Sequence, residues 1–193
     1  DLEAAAALLA SDELALRQVD MGRIGDKHFL IAVGIGIPGE LAENADREAK
    51  DRLGFLAYAF SSIQAVRTVE AVQYTITVDG EQRQTQGVTC LIANGGNFGI
   101  PGLNLEQMID MGDGLLDVLV IRRADVQAIV SLAASVVRQD ESIAPLEHWR
   151  GRKIEVVAEP RQAIQADGEV LEPGPITAHL LPSAVRFVVP PAS

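Results

Sequence analysis

Carboxylates set beside glycines are the residues of this chain best suited to chemistry. Asp110, Asp113 and Asp117 stand close together in Asp110-Met-Gly-Asp113-Gly-Leu-Leu-Asp117. Gly112 and Gly114 free the backbone to turn sharply, so carbonyls as well as carboxylates can point at one spot. Magnesium takes oxygen ligands in near-octahedral geometry and keeps several waters, so one or two carboxylates plus main-chain carbonyls suit it. A plain Asp-Gly turn leading into a strand accounts for the same residues. The second cluster is Asp167-Gly168-Glu169. On an extended segment, residues i and i+2 lean to the same face, and a carboxylate pair can take the proton of a hydroxyl. A hairpin turn with exposed acids is the competing reading.

Other groups offer less. The glycine-rich loops Gly34–Gly39 and Asn94–Gly102 could approach phosphate through backbone amides. Neither contains GxxxxGK[ST]; Gly34-Ile-Gly36-Ile-Pro38-Gly39 has the GxGxxG glycine spacing, but Glu40 follows it and its order relative to a helix only roughly fits the dinucleotide fingerprint, so structural turns are the expectation. His28, His148 and His179 are scattered without ligand spacing, and no nucleophile elbow or Ser-His-Asp arrangement can be placed. Trp149 and the single cysteine, Cys90, read as core or near-core residues. One cysteine excludes an internal disulfide framework and a cysteine zinc site, and cytosol is the natural compartment. The net charge of −11 disfavours nucleic acid, whose binding rests on Lys and Arg neutralising phosphates. It also opposes a broad electrostatic grip on anionic lipid.

These groups need a scaffold, and the pattern of the chain supplies one. Residues 1–10 read as an Ala- and Leu-rich helix. The chain opens on Asp1 and not on Met, so a fragment entered from an earlier segment is expected. Strand-like runs cover Leu16–Ile24 and His28–Ile35, joined at Gly25-Asp26. From about Lys50 to Val66, Leu53, Leu56, Phe60 and Ile63 follow helical spacing. Tyr74, Ile76 and Val78 alternate with threonines, Asp79-Gly80 signals a hairpin, and the return strand is expected to run to Asn94. Leu115–Ile121 is another strand, and Asp125 can cap a helix with Val126, Ile129, Val130, Ala133 and Val137 on its buried stripe. Lys153–Ala158, Gln162–Ala166, Ile176–Leu180 and Ala184–Val189 follow as strands, with turns at Glu159-Pro160, Glu172–Pro175 and Pro182-Ser183. Many short strands with regular turn signals predict one domain: mainly β (α+β), an antiparallel β-sandwich with a few flanking helices. No apolar run approaches the ~18 residues that span a bilayer.

In this order, the pieces resemble the soluble bacterial diacylglycerol kinase family, related to sphingosine and ceramide kinases. The resemblance runs from about Ala15 to Val189. It rests on Val33-Gly-Ile-Gly36, Leu53-Gly-Phe-Leu-Ala-Tyr58, Val78-Asp-Gly80, Ala93-Asn-Gly-Gly96, Asp113-Gly-Leu-Leu-Asp-Val118 and Ala166-Asp-Gly-Glu169. Single pieces are weak signals; their order and spacing are the specific one. Two places depart from the family pattern, Gly34-Ile-Gly36-Ile-Pro38 and Pro101-Gly-Leu-Asn-Leu-Glu106.

The resemblance implies more than spacing does. It makes residues 1–193 the C-terminal β-sandwich domain of a lipid kinase, without the N-terminal nucleotide-binding domain, and inactive alone. It implies transfer of the γ-phosphate of ATP, the co-substrate, to a lipid hydroxyl, diacylglycerol first among the candidates. By the same resemblance Glu169 is the general base, Asp167 holds the geometry, and Asp113 is a magnesium ligand with main-chain oxygens of Asp110 and Leu115. The implied partners are the N-terminal domain and a lipid at a membrane surface. Nucleic acid is not among them; a homodimer is compatible. A cytoplasmic protein, peripheral at the inner membrane face, is the matching location. Two alternatives stay open: a related kinase acting on NAD or another alcohol, and a non-catalytic regulatory sandwich.

Overall fold

β-branched and aliphatic residues alternate with polar ones through much of the chain, and the resulting strands close into two facing sheets. The computed structural model describes residues 2–10, 15–36, 71–100, 103–105, 108–122 and 146–190. The expected helices around 50–66 and after Asp125 lie outside these residues. The short helix α1 (Leu2–Leu9) precedes β1 (Ala15–Ile24), β2 (Lys27–Phe29), β3 (Ala32–Gly36), β4 (Val72–Val78), β5 (Glu81–Gly87) and β6 (Thr89–Ala93). There follow β7 (Asn97–Ile100), β8 (Leu103–Asn104), β9 (Leu116–Ile121), β10 (Leu146–Gly151) and β11 (Lys153–Glu159). The last strands are β12 (Ile164–Ala166), β13 (Glu169–Leu171) and β14 (Ile176–Val189).

One six-stranded sheet has the order β2-β1-β14-β11-β4-β5 and the other β10-β9-β6-β3-β12-β13, while β7 and β8 form a separate small hairpin. Neighbouring strands pair antiparallel throughout. Tyr74, Ile76, Ile154 and Val156 of the first sheet are buried in one cluster with Val33, Ile92, Val118 and Ile164 of the second. This is the predicted β-sandwich. Alternation on β4 is complete, with every second residue buried, because one face meets the core and the other does not. β6 and β9 are instead buried along their whole length, which masks any alternation.

Three boundaries differ from expectation, two of them because strands here change sheets at a short bend. The run from His28 to Ile35 breaks at Leu30-Ile31, with β2 in the first sheet and β3 in the second. The return strand after Asp79-Gly80 divides at Val88 in the same way, β5 in one sheet and β6 in the other. Conversely, Pro182-Ser183 does not end a strand. β14 runs through it, and a register shift between Val19 and Met21 of β1 absorbs the irregularity, as a bulge does. Ser183 has φ +48° there.

β10 was not expected. Leu146-Glu-His-Trp-Arg-Gly151 carries mostly polar and aromatic residues without clean alternation, and its first four residues are only half-buried because it forms the edge of its sheet.

Candidate active site

The two Asp-Gly hairpins obey the same rule. Asp79 (φ +49°) and Gly80 (φ +95°) join β4 to β5, and Asp167 (φ +45°) and Gly168 (φ +91°) join β12 to β13. Two-residue hairpins of type I′ require positive φ at both central residues, which Asp and Gly tolerate. Asp167-Gly168-Glu169 is therefore a turn and not an extended segment, so the expected same-face pair of carboxylates is not formed.

The Asp167 carboxylate turns back onto the crossing between β2 and β3. It accepts hydrogen bonds from the backbone N–H groups of Leu30 (2.5 Å), Ile31 (3.1 Å) and Ala32 (2.9 Å). Those amides belong to the residues where the chain leaves one sheet for the other, so no ladder supplies their partners. Gln165, fully buried, supports the turn by accepting the Gly168 N–H at 2.8 Å. Glu169 instead faces solvent and pairs with Lys27 at 3.3 Å, its side chain 71% exposed.

Peptide 30–32 is held from its other side by the Ala93-Asn-Gly-Gly96 segment. The Ile31 carbonyl accepts the N–H groups of Asn94 and Gly95 at 2.9 and 3.0 Å. The buried Asn94 side chain donates to the carbonyls of Leu30 (2.8 Å) and Asp20 (3.0 Å). Asp20, itself buried, passes the connection to the acidic loop: its carboxylate accepts the N–H groups of Gly114 (2.8 Å) and Ser183 (2.7 Å). The Asp20 N–H donates to the Met111 carbonyl at 2.5 Å. One chain of hydrogen bonds thus runs from Asp167 through Ile31, Asn94 and Asp20 to Gly114. A cavity of about 310 Å³ opens above it, lined by Arg17, Ile31, Gly95, Asn97, Asp110 and Met111 among others. Asp110 is at the cavity; Glu169 does not line it.

The loop holding Asp110, Asp113 and Leu115 is closed by its own hydrogen bonds. Asp110 accepts the Gly112 N–H (3.0 Å), and Asp113 accepts the Leu115 N–H (3.0 Å), each carboxylate closing a turn over its own backbone. Both carboxylates also meet a cation: Arg17 lies 3.0 Å from Asp110, and Arg150 contacts Asp113. Asp117, from the same motif, is fully buried on β9. Its Oδ1 lies 2.6 Å from His148 Nε2 and 3.1 Å from Arg150 Nε, both on β10, while its Oδ2 has no hydrogen-bond partner among the described residues. Sequence reasoning passed over His148 and Arg150 because nothing local in sequence ties β10 to the acidic loop; only the β9–β10 register does, setting Arg150 opposite Asp117.

The hard oxygen donors of Asp110, Asp113 and Leu115 match magnesium in chemical type. Among the described residues no three His, Cys, Asp or Glu side chains gather as a metal cage. A cation at this loop would keep most of its water and would meet the two arginines as competitors.

Comparison with known proteins follows the fold. Residues 31–189 match the family described as the YegS C-terminal NAD kinase beta sandwich-like domain. A Staphylococcus haemolyticus protein named "Putative lipid kinase SH2167" is 28% identical over 193 residues, covering 94% of this chain and 60% of that protein. A crystal structure of a diacylglycerol kinase from Bacillus anthracis is similar with TM-score 0.73 and 26% identity, covering 97% of this chain and 61% of that one. An NAD kinase from Archaeoglobus fulgidus, solved with ATP, gives TM-score 0.51 at 13% identity, a likeness of fold alone. The chain spans about three-fifths of the length of these relatives. With most of its length inside the matched family and its two sheets in the matching fold, the chain belongs to the YegS C-terminal, NAD kinase β-sandwich-like domain family of lipid kinase relatives.

Proposed function

We propose that this chain is the acceptor-side domain of an ATP- and magnesium-dependent lipid kinase that phosphorylates the hydroxyl of a diacylglycerol-like lipid. The observation that carries this reading is the likeness to the Bacillus anthracis diacylglycerol kinase across 97% of the chain. ATP is bound mainly by a separate N-terminal nucleotide-binding domain, and the working protein is cytoplasmic, meeting its lipid at the inner face of the membrane. Among the described residues no helix is long and apolar enough to cross a bilayer.

Glu169 is the proposed general base. It stands at the start of an edge strand, exposed, its only described partner a lysine on the surface. A base of this kind must reach the acceptor hydroxyl as the phosphoryl group arrives, and in phosphoryl transfer most of the catalysis is positioning and charge stabilisation. Asp167 is a positioning residue: its oxygens are committed to three backbone amides, so it fixes the turn from which Glu169 projects. Asp113, with main-chain oxygens of Asp110 and Leu115, would hold a magnesium that orders the acidic loop, distinct from the magnesium that travels with ATP.

The test joins the chain to its nucleotide-binding domain and follows ATP-dependent phosphorylation of diacylglycerol in mixed micelles. Glu169→Gln is expected to lower turnover at least ~100-fold, the usual scale for a lost general base, with lipid binding retained. Turnover within a few-fold of normal would remove Glu169 from the mechanism. Phosphorylation of NAD in place of any lipid alcohol would replace the acceptor class.

A further inference from the structure

Arg150 touches two carboxylates of different character. Its Nη2 contacts Asp113 at the surface, and its Nε lies 3.1 Å from the buried Asp117. Asp117 is half-used: Oδ1 takes both His148 and Arg150, whereas Oδ2 is buried without any hydrogen-bond partner among the described residues. An orphan carboxylate oxygen in a low-dielectric site is costly, and an arginine fork can satisfy both oxygens of one carboxylate at once. Arg150 is not enclosed by protein: its side chain is 38% exposed and lines a groove of about 270 Å³ beside Asp79, Arg83 and Trp149.

We infer that Arg150 is a resident cation that exchanges with a divalent ion at Asp113, and that Asp117 is its second seat. When the ion arrives, the guanidinium leaves Asp113 and closes on Asp117 as a bidentate pair, filling the vacant Oδ2. When the ion leaves, Arg150 returns and keeps the acidic loop neutralised. The inference rests on the magnesium reading of the Asp113 loop and adds a residue that sets its affinity. The exchange is a differential one: each cation excludes the other from Asp113, so each lowers the apparent affinity of the other.

Magnesium titrations by calorimetry, with thermal unfolding as a second readout, test this without any need for catalysis. Arg150→Gln is expected to bind magnesium roughly five-fold more tightly than wild type, the scale of a partly exposed ion pair. Asp117→Asn, which removes the second seat, is expected to weaken magnesium binding, and this loss is expected to vanish in the Arg150→Gln background. If Arg150→Gln does not fold, Arg150→Met gives the same comparison, since it keeps the apolar stem and also removes the competing charge. Equal magnesium affinity in wild type and Arg150→Gln overturns the exchange while leaving the metal site intact. An undiminished effect of Asp117→Asn in the Arg150→Gln background also overturns it, because Asp117 then acts by simple charge. No magnesium binding in wild type or Arg150→Gln overturns both the exchange and the metal reading beneath it.

Discussion

The carboxylate of Asp167 accepts the backbone N–H of Ala32 at 2.9 Å, joining positions 135 residues apart. With the amides of Leu30 and Ile31 it also takes, it stands in for the ladder that the chain forgoes while crossing between sheets. Charge-assisted bonds to main-chain N–H are among the stronger hydrogen bonds, and three converge on one side chain. Asp167→Asn keeps the size and tolerates the positive φ, but it turns one acceptor into an NH2 group facing amide donors. The expected loss is about 2 kcal/mol or more of stability, measured by urea unfolding. An unchanged midpoint would show that the crossing is held by Asn94 and Gly95 alone.

Asp20 makes the corresponding connection at the other end of the hydrogen-bonded chain. One carboxylate holds Gly114 in the acidic loop and Ser183 in the β14 bulge. Asp20→Asn can satisfy only one of the two donors, leaving the other buried, at a cost of about 1–3 kcal/mol. Hydrogen exchange at the Gly114 and Ser183 amides is expected to accelerate at one of the two positions. If both stay as protected as in wild type, the loop and the bulge are independent of this side chain.

How far the sequence could lead is clearest from the two Asp-Gly pairs. Asp79-Gly80 was legible as a hairpin because alternating Tyr74, Ile76 and Val78 precede it, and the structure has that hairpin. The same rule applies to Asp167-Gly168, yet β12 and β13 have only three residues each, too short to display alternation. Without that frame the sequence offered both a hairpin turn with exposed acids and an extended i, i+2 pair of Asp167 and Glu169, and the structure has the turn. The sandwich itself was legible from the frequency of strands and turns. Sheet changes at Leu30-Ile31 and Val88 were not, because the apolar pattern runs on through a bend of one or two residues that contains no Gly or Pro. The acidic loop was found by its glycines, whereas its counter-charges Arg17 and Arg150 reach it from β1 and β10, remote in sequence.

Gly22 gives a sharp packing prediction. It pairs across β1 and β2 with Phe29, whose ring is 1% exposed and lies over it. A Cβ added at Gly22 would come within 2.0 Å of the ring, so the ring would have to leave its place in the core. Gly22→Ala is expected to destabilise by about 1–3 kcal/mol, the cost of overpacking, despite alanine's lower unfolded-state entropy. Coupling with Phe29→Leu should restore part of the loss, because the smaller side chain vacates the contact. Stability equal to wild type in Gly22→Ala would mean that the ring has another low-energy place.

Cys90 provides a pH signature of the core. It lies on β6 with no solvent exposure, and burial pushes its thiol well above the ordinary value of 9.0, since a thiolate there would lose its hydration. Below the ordinary value, folded and unfolded chains both keep the proton and the group adds no pH dependence. Above it, the unfolded chain releases the proton while the folded one holds it, so stability falls as pH rises. The slope from this one group is about 1.4 kcal/mol per pH unit. Lysines and tyrosines titrate in the same range, so the informative quantity is the difference between wild type and Cys90→Ala. Urea midpoints from pH 8.5 to 10.5 are expected to decline more steeply for wild type, with the two curves converging at the alkaline end. Parallel curves would show that the thiol ionises equally in both states, which a core position with no water contact does not permit.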